Sequence, residues 1–452
     1  MLLGPLQILL FSPLVTLTTD SLPLEREIEQ FELRTALQTW ITGGEVRLVI
    51  SNDGRFATLT QLLHSQAWHI VIFSGHGVKN AYEFCLLFAT ISGQAELIST
   101  VELLQLFKSV TVQCVVLATC HSGESINGNN SLAEQLAQTI PHVIGMKGIL
   151  LDRAGQRFIK AFTTSLAQRQ NIEIAMQQGC QAMTKLLNTS EVWHLSSPDH
   201  LQKLVNQQES LPILYSRNPS MPWIDWNFRR KSEIQIFSEY SIKLSPVFIG
   251  RHIEIQQLIK KLQHEKIQQL LIRGAGGLGK TALAGKLIEI LVEQQNYQVM
   301  TYHIGENISL LDKVESLLEK RPQNRWILWL EGLEKIQNPQ SNTTTMINNL
   351  MIYYLNRVQV MNLKILMTSR YPIPQLLNYD DYLLTKPQYS DFQRYVHYLG
   401  LPYSCSQIKL IYQAIHGNFK GIQLLQNLSP VFESEDFSKK LAMVQRYLRA
   451  IS

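Results

Sequence analysis

No run of 18 apolar residues occurs in the 452-residue chain, too little for a helix that crosses a membrane. Cysteine is scarce. Five in the whole length, an odd count, make no disulfide framework; they fit a reducing compartment in which a single thiol can carry chemistry. A surplus of one charge is also missing. Forty-one Lys and Arg against 36 Asp and Glu leave +5, with no long basic run, which excludes nucleic acid as the main partner. Internal repeats and low-complexity tracts are absent, which excludes a solenoid or a tail-like chain. What is abundant is apolar surface: 45% hydrophobic and only 17% charged residues predict a globular fold rather than disorder. At roughly 150 residues per domain, the length predicts about three domains, or two larger ones.

The start, MLLGPLQILLFSPLV, is apolar but carries Pro5 and Pro13, has no basic flank and is followed by no small-residue cleavage site. It reads as a buried first strand over Leu6 to Phe11, and the chain as cytoplasmic. Short apolar runs then alternate with amphipathic stretches. LEREIEQFELRTALQTW (24–40) is helical: Leu24, Ile28 and Phe31 share one face, and Leu33, Leu37 and Trp40 another. Two apolar faces predict a helix covered on both sides or broken near its middle. VRLVI (46–50), HIVIF (69–73) and VQCVVLA (112–118) read as strands, and LTQLLHSQ (59–66), SLAEQLAQTI (131–140) and FIKAFTTSLAQRQ (158–170) as helices. LPILY (211–215) closes this set. Near-continuous apolar strands separated by helices predict a parallel sheet covered on both faces.

The texture changes after Tyr215. Two prolines, two tryptophans and Arg229-Arg230-Lys231 mark 217–245 as a linker, and the basic triplet as a solvated patch. A second α/β unit follows: helix IEIQQLIKKLQ, strand LLIR (270–273), a glycine-rich turn, helix LAGKLIEILVEQQ, and strands WILWL (326–330) and KILMT (364–368). From about residue 385 the pattern is helical. The domains are therefore set at 1–216, 246–384 and 385–452.

The turn reads Gly274-Ala275-Gly276-Gly277-Leu278-Gly279-Lys280-Thr281, which fits G-x-x-x-x-G-K-S/T in full. Glycines let backbone N–H groups converge on a phosphate chain, and the following helix aims its dipole at it. Lys280 reaches the β/γ-phosphates in such a loop, and the Thr281 hydroxyl holds Mg²⁺. Glu331, ending the strand WILWL, is placed to hold the Mg²⁺ water shell or polarise a water, with Glu334 close behind. Arg370, after Thr368-Ser369, is placed to sense the γ-phosphate. The expected cofactors are ATP and Mg²⁺.

Residues 246–428 resemble the STAND class of signalling NTPases, the NACHT and NB-ARC relatives. The likeness runs through FIGRHIEIQQL (248–258), the phosphate loop, the acidic strand, the Thr-Ser-Arg sensor and HGNFKGIQLL (416–425). It implies that the entry segment around Arg251 cups the adenine. Three positions depart from the class: Glu331 stands for its Asp, His252 for its Glu, and Gly417-Asn418-Phe419 lacks its proline. These departures imply nucleotide binding with slow hydrolysis.

Two strand ends in the first unit carry the other chemistry. HIVIF runs into Ser74-Gly75-His76-Gly77, and VQCVVLA into Thr119-Cys120-His121-Ser122-Gly123. Strand C-termini of an open parallel sheet line one edge, where active sites form. On neighbouring strands, His76 and Cys120 face one crevice. Cys120 would attack a scissile carbonyl, and His76 would take the thiol proton and return it to the leaving amine. The N–H groups of Gly77 and Cys120 are the expected oxyanion donors. His121 is a rival base whose place in a tight turn points it elsewhere. Cys85, Cys114, Cys180 and Cys405 read as packing residues.

These motifs, with 144–179 and the LPILY ending, resemble the CHAT family of caspase-like peptidases over residues 6–216. The resemblance implies a caspase-like α/β sandwich and peptide-bond hydrolysis. Asp20, Asp53, Glu124 and Asp152 each remain open as the residue lining the specificity pocket. The whole chain then reads as a caspase-like parallel-sheet sandwich, a P-loop NTPase α/β domain and a small helical C-terminal region. Its expected function is a nucleotide-regulated cysteine endopeptidase in bacterial stress, immune or cell-death signalling. Its expected partners are a protein substrate, a separate sensor protein and further copies of itself on activation, with no nucleic acid and no membrane. The alternative is a non-enzymatic, oligomerising ATP-binding scaffold.

Overall fold

The computed structural model describes residues 1–13, 25–51, 53–79, 84–90, 94–125, 130–184, 198–219, 222–228, 248–264, 267–295, 297–303, 323–331, 333, 363–373, 376, 378–428 and 437–451. The chain divides into two compact units, Met1–Glu233 and Ile234–Ser452. The architecture is mixed α/β with a largely parallel sheet in each. The Arg229–Lys231 triplet, the rest of the expected linker to residue 245, and Asp20, Leu24 and Glu334 lie outside the described residues.

In the first unit the order is β1 (Leu2–Leu3), β2 (Leu6–Phe11), α1 (Glu25–Thr42), β3 (Val46–Ser51), α2 (Phe56–Ser65) and β4 (Trp68–Ser74). Then come β5 (Gly77–Lys79), β6 (Phe84–Ala89), β7 (Ala95–Ser99), α3 (Thr100–Lys108), β8 (Val112–Ala118), α4 (Leu132–Leu136) and β9 (His142–Met146). The unit ends with α5 (Asp152–Ala167), α6 (Ile172–Thr184), α7 (Pro198–Gln207), β10 (Pro212–Ser216) and β11 (Ile224–Asp225). Six strands form the main sheet in the order β10-β9-β8-β4-β2-β3, parallel except for the antiparallel edge β10.

Both faces of this sheet are covered, which is why its strands read as unbroken apolar runs. Ile8, Leu10, Ile70, Ile72, Cys114 and Val116 pack on one face against α1, α5 and α6, whereas Leu9, Phe11, Val71, Phe73, Val115 and Leu117 pack on the other with α2, α3 and β6. Helix α1 is one unbroken helix of 18 residues. Leu33 and Leu37 on it are fully buried, and Trp40 packs against the same core. The expected helix over 131–140 is only the five residues of α4, opened by a Ser131 side chain that accepts from Glu134 N–H. The helix expected from residue 158 starts six residues earlier, with α5.

The domain end at residue 216 is too early. Trp223 and Ile224 are 7% and 8% exposed and belong to the core of the first unit. β11 pairs in parallel with β1, and the Arg169 guanidinium lies 5.1 Å from the centroid of the Trp226 ring. The tryptophans that looked like linker texture fasten this segment to the unit. The small antiparallel sheet β5-β6-β7 also went unrecognised.

The second unit holds α8 (His252–Gln263), β12 (Gln269–Arg273), α9 (Lys280–Gln295), β13 (Tyr297–His303), β14 (Arg325–Glu331), β15 (Leu363–Ser369) and β16 (Asp380–Leu383). Its five strands run parallel in the order β13-β14-β15-β12-β16. β16 was not expected because it opens with two aspartates. Lys261 Nζ at 2.7 Å from Asp380 and Arg273 Nε at 2.7 Å from Asp381 pin it beside β12. The helices α10 (Tyr389–Tyr398), α11 (Cys405–Ala414), α12 (Phe419–Leu428) and α13 (Phe437–Ile451) share a core of Phe392, Val396, Ile408, Ile411, Ile422 and Leu425, as the helical pattern after 385 predicted.

Candidate functional site

β4 and β8 are hydrogen-bonded neighbours with Ser74 opposite Ala118, so His76 and Cys120 each stand two residues beyond a matched pair. The two strand ends approach closely at Gly77. A Cβ there would collide with the Phe84 ring and lie 2.9 Å from the Cys120 carbonyl oxygen, so no larger residue fits without displacing one of them. The backbone of His76 is held by Leu87 N–H, which donates to its carbonyl at 3.0 Å.

The turn that presents Cys120 is stitched to β9 and the segment after it. Ser122, fully buried, accepts Met146 N–H at 3.0 Å through its hydroxyl, which lies 3.0 Å from the Thr119 carbonyl. His121 adopts a left-handed backbone, φ 60°, and its N–H donates to Gly148 at 2.9 Å. Its ring turns to Glu124, at 2.9 Å, which Lys79 also holds at 3.2 Å. The rival base is thus engaged with a carboxylate. The Cys120 sulfur faces Leu150, whose N–H lies at 3.4 Å and whose carbonyl at 3.7 Å.

Burial pushes the Cys120 thiol above its ordinary value; the Leu150 N–H opposes this, and the Asp152 and Glu124 carboxylates add to it. His76 is pushed down, first by crowding around a ring that keeps part of its surface in solvent and then by the Arg26 guanidinium, with Asp152 opposing. The pair therefore rests as a neutral thiol and a neutral imidazole.

Beneath this edge lies a carboxylate that the sequence reading passed over. Both carboxylate oxygens of Glu29, on α1, lie 2.9 Å from the Ser74 hydroxyl, two residues before His76. Burial pushes Glu29 up to about 7, against the Ser74 hydrogen bond and the Arg26 charge. The signal was its spacing: Glu29, Leu33 and Leu37 form one i, i+4 stripe facing the core. Of the four candidate pocket carboxylates, Asp53 is engaged by Arg55 and Thr58, and Glu124 by Lys79 and His121. Asp152 is exposed at the first turn of α5, and its charge acts on both His76 and Cys120.

In the second unit the phosphate loop joins β12 to α9. Gly274, Gly277 and Gly279 have φ of 153°, 80° and 89°, in the region that favours glycine. The loop is held from outside by Asn418, which donates to the Gly276 carbonyl at 2.8 Å, and by Phe419 N–H, which donates to Gly277 at 3.0 Å. Lys280 Nζ rests 2.8 Å from the Gly274 carbonyl and 3.0 Å from Ala275. The Arg370 guanidinium stands over Gly276, 3.5 Å from where a Cβ would be. Thr281 is exposed at the start of α9. Glu331 ends β14, which β15 separates from β12.

Arg251 takes a position behind the loop. It is 3% exposed, φ 61°, and donates to the Leu278 carbonyl at 3.3 Å and Thr385 at 2.9 Å while pairing with Glu254 at 2.7 Å. The loop, the N-terminus of the 16-residue helix α9 and the cations Lys280 and Arg370 together suit a polyphosphate, and the Thr281 hydroxyl suits its Mg²⁺.

The fold and the paired strand ends define one mixed α/β unit with a Cys–His edge and a second α/β unit with a phosphate loop. Residues 14–224 match the CHAT domain, a family of caspase-like peptidases. No curated protein matches the chain. Among solved structures, domain III of the Thermotoga maritima replication initiation protein DnaA is 14% identical, with a TM-score of 0.32 over 45% of this chain and 93% of that one. The FIGL-1 AAA domain in complex with ADP is 13% identical, with a TM-score of 0.32 over 44% of this chain and 82% of that one. No helix among the described residues is long and apolar enough to cross a membrane.

Proposed function

We propose that the chain is a cysteine endopeptidase whose activity is set by nucleotide binding in its second unit, a switch of the STAND type. The observation that carries the first half is the placement of His76 and Cys120 at the matched ends of two hydrogen-bonded parallel strands, in the segment that matches a peptidase family. His76 takes the thiol proton as Cys120 Sγ bonds to the scissile carbonyl carbon. The N–H groups of Gly77 and Cys120 donate to the oxyanion. His76 then protonates the leaving amine, and water, giving its proton to His76, releases the new carboxylate and regenerates the thiol. Asp152 is the exposed carboxylate whose charge reaches both groups, so the substrate presents a basic side chain beside the cut. Asp152 also accounts for part of the upward push on the thiol, which a bound cation would relieve.

For the second half, the phosphate loop, Lys280 and Arg370 would bind the phosphates of ATP, with Thr281 and Glu331 at its Mg²⁺ and Arg251 bracing the loop. ATP supplies the charge and binding energy that would favour one arrangement of the chain over another. Glu331 is a methylene longer than Asp, which supports slow turnover and a long-lived ATP state. Protein substrates, a separate sensor and assembly on activation belong to the same proposal.

The test uses the full chain with thiol-reactive peptide probes carrying Arg, Asp or Ala beside the warhead, with and without ATP·Mg²⁺. Labelling at Cys120 by the Arg probe, lost in His76→Ala and dependent on ATP, is expected. Absence of labelling under every nucleotide condition would leave the scaffold reading. Equal labelling with and without ATP, in a protein shown to bind ATP, would remove the switch but keep the peptidase.

A further inference from the structure

Leu150 turns both of its peptide groups toward the sulfur of Cys120: its N–H at 3.4 Å and its carbonyl at 3.7 Å. It sits in the irregular segment between β9 and α5, so no helix or strand ladder fixes it. Side-chain packing does not fix its neighbour either, since Ile149 is 49% exposed. Leu150 and Leu151 pack their side chains on the core, and the Gly148 carbonyl accepts His121 N–H, but the peptide groups on either side of Leu150 are bound by one distant side chain. Gln208, in a single 3₁₀ turn (Gln208–Ser210), accepts Leu151 N–H through Oε1 at 2.9 Å and donates through Nε2 to the Ile149 carbonyl at 3.0 Å. The same Nε2 donates to Leu204 at 3.1 Å, and the side chain is 0% exposed. A buried amide whose donors and acceptor are all engaged has one stable orientation, and so do the groups it binds.

We propose that Gln208 positions the candidate nucleophile: by clamping the peptide groups on either side of Leu150, it aims the Leu150 N–H at Cys120 Sγ and favours the thiolate. The inference rests on the reading of Cys120 as the nucleophile. An N–H directed at sulfur stabilises the anion, which burial and two carboxylates disfavour. The charged groups that act on Cys120 are Asp152 from α5 and Glu124 from the turn after β8. Neither belongs to the 3₁₀ turn, whose own Glu209 acts on Cys180. Gln208 therefore works through Leu150 and not through its own charge.

The experiment is alkylation of the full chain by iodoacetamide from about pH 6 to 10, read at Cys120 by mass spectrometry, with the exposed Cys405 as internal reference. Two variants remove the clamp separately. Gln208→Met keeps the length and loses every hydrogen bond. Leu151→Pro removes the N–H that Gln208 accepts, at a residue whose φ of −75° suits proline. In each, the midpoint for Cys120 is expected to move up by about one pH unit, with about a tenfold slower reaction below it and an unchanged Cys405 profile. Peptide cleavage would lose kcat with little change in KM. An unchanged Cys120 midpoint in a folded variant overturns the proposal, and Leu151→Pro decides it if Gln208→Met does not fold. A shifted midpoint in the variants, with a wild type that cleaves no peptide, would sink the peptidase reading and leave the positioning role standing.

Discussion

Replacing Glu29 by Gln should change how stability depends on pH in a way that isolates one buried proton. Glu29 is 3% exposed, and its carboxyl is raised from 4.5 to about 7, chiefly by burial. The folded carboxyl thus keeps its proton up to about pH 7, while the unfolded one loses it near 4.5. Over that interval the native state binds more protons, so stability falls as pH rises and stays reduced above it. A gap of roughly 2.5 units at about 1.4 kcal/mol each gives about 3.5 kcal/mol in full, of which about 3 develops between pH 4.5 and 7.5. The amide that replaces the carboxyl has no proton to lose and can still accept from the Ser74 hydroxyl. The stability of Glu29→Gln minus that of wild type should therefore climb by about 3 kcal/mol between pH 4.5 and 7.5. His69 and His142, held below their ordinary values by burial, make the protein less stable in acid, but both proteins contain them and the difference cancels. The assay is urea unfolding at each pH, followed by a brief thiol-labelling pulse at one fixed pH. Cys114, on β8 and 0% exposed, reports the first unit alone. A difference that stays flat across the range refutes the argument that this carboxyl is protonated at neutral pH in the fold.

Two other outcomes are expected. Lys280→Ala removes the lysine from the phosphate loop and should weaken ATP binding at least tenfold, about 1.4 kcal/mol, by titration calorimetry; unchanged affinity in a folded variant would reject the loop as a phosphate site. Gly77→Ala drives a methyl against the Phe84 ring and the Cys120 carbonyl. It should cost about 1–3 kcal/mol in stability and, through a displacement of about 1 Å, on the order of 100-fold in cleavage. Wild-type kinetics in that variant would mean that the two strand ends do not meet as described.

The main sheet was legible because burial on two faces writes itself as β-branched runs, and VQCVVLA matches β8 to the residue. A strand held in place by ion pairs was not legible. β16 opens with Asp380 and Asp381 and is recognisable only once Lys261 and Arg273 stand beside it. The Cys–His edge could be guessed from two glycine-flanked strand ends, but their adjacency is a matter of strand order, which no local pattern encodes. Glu29 left a trace in the helix period. Gln208 left none, since its partners lie 57 and 59 residues away. Arg251 was expected at the nucleotide from the resemblance of its segment to an entry motif; what no motif announced is its burial and its bonds to the Leu278 and Thr385 carbonyls.

The contact between Asn418 and the phosphate loop bears on how the protein is made. The carbonyl of Gly276 is held by a side chain 142 residues later in the chain, and that of Gly277 by the next residue's N–H. At about 5–20 residues per second, a ribosome that has finished the loop needs roughly 7–30 s more to deliver the segment that holds it. Through that interval the glycines are free to sample many shapes, while the first unit, already complete, can fold. The phosphate loop is thus the late-maturing part of the chain, and a nascent copy passes through a period with a finished Cys–His edge and an unfinished loop.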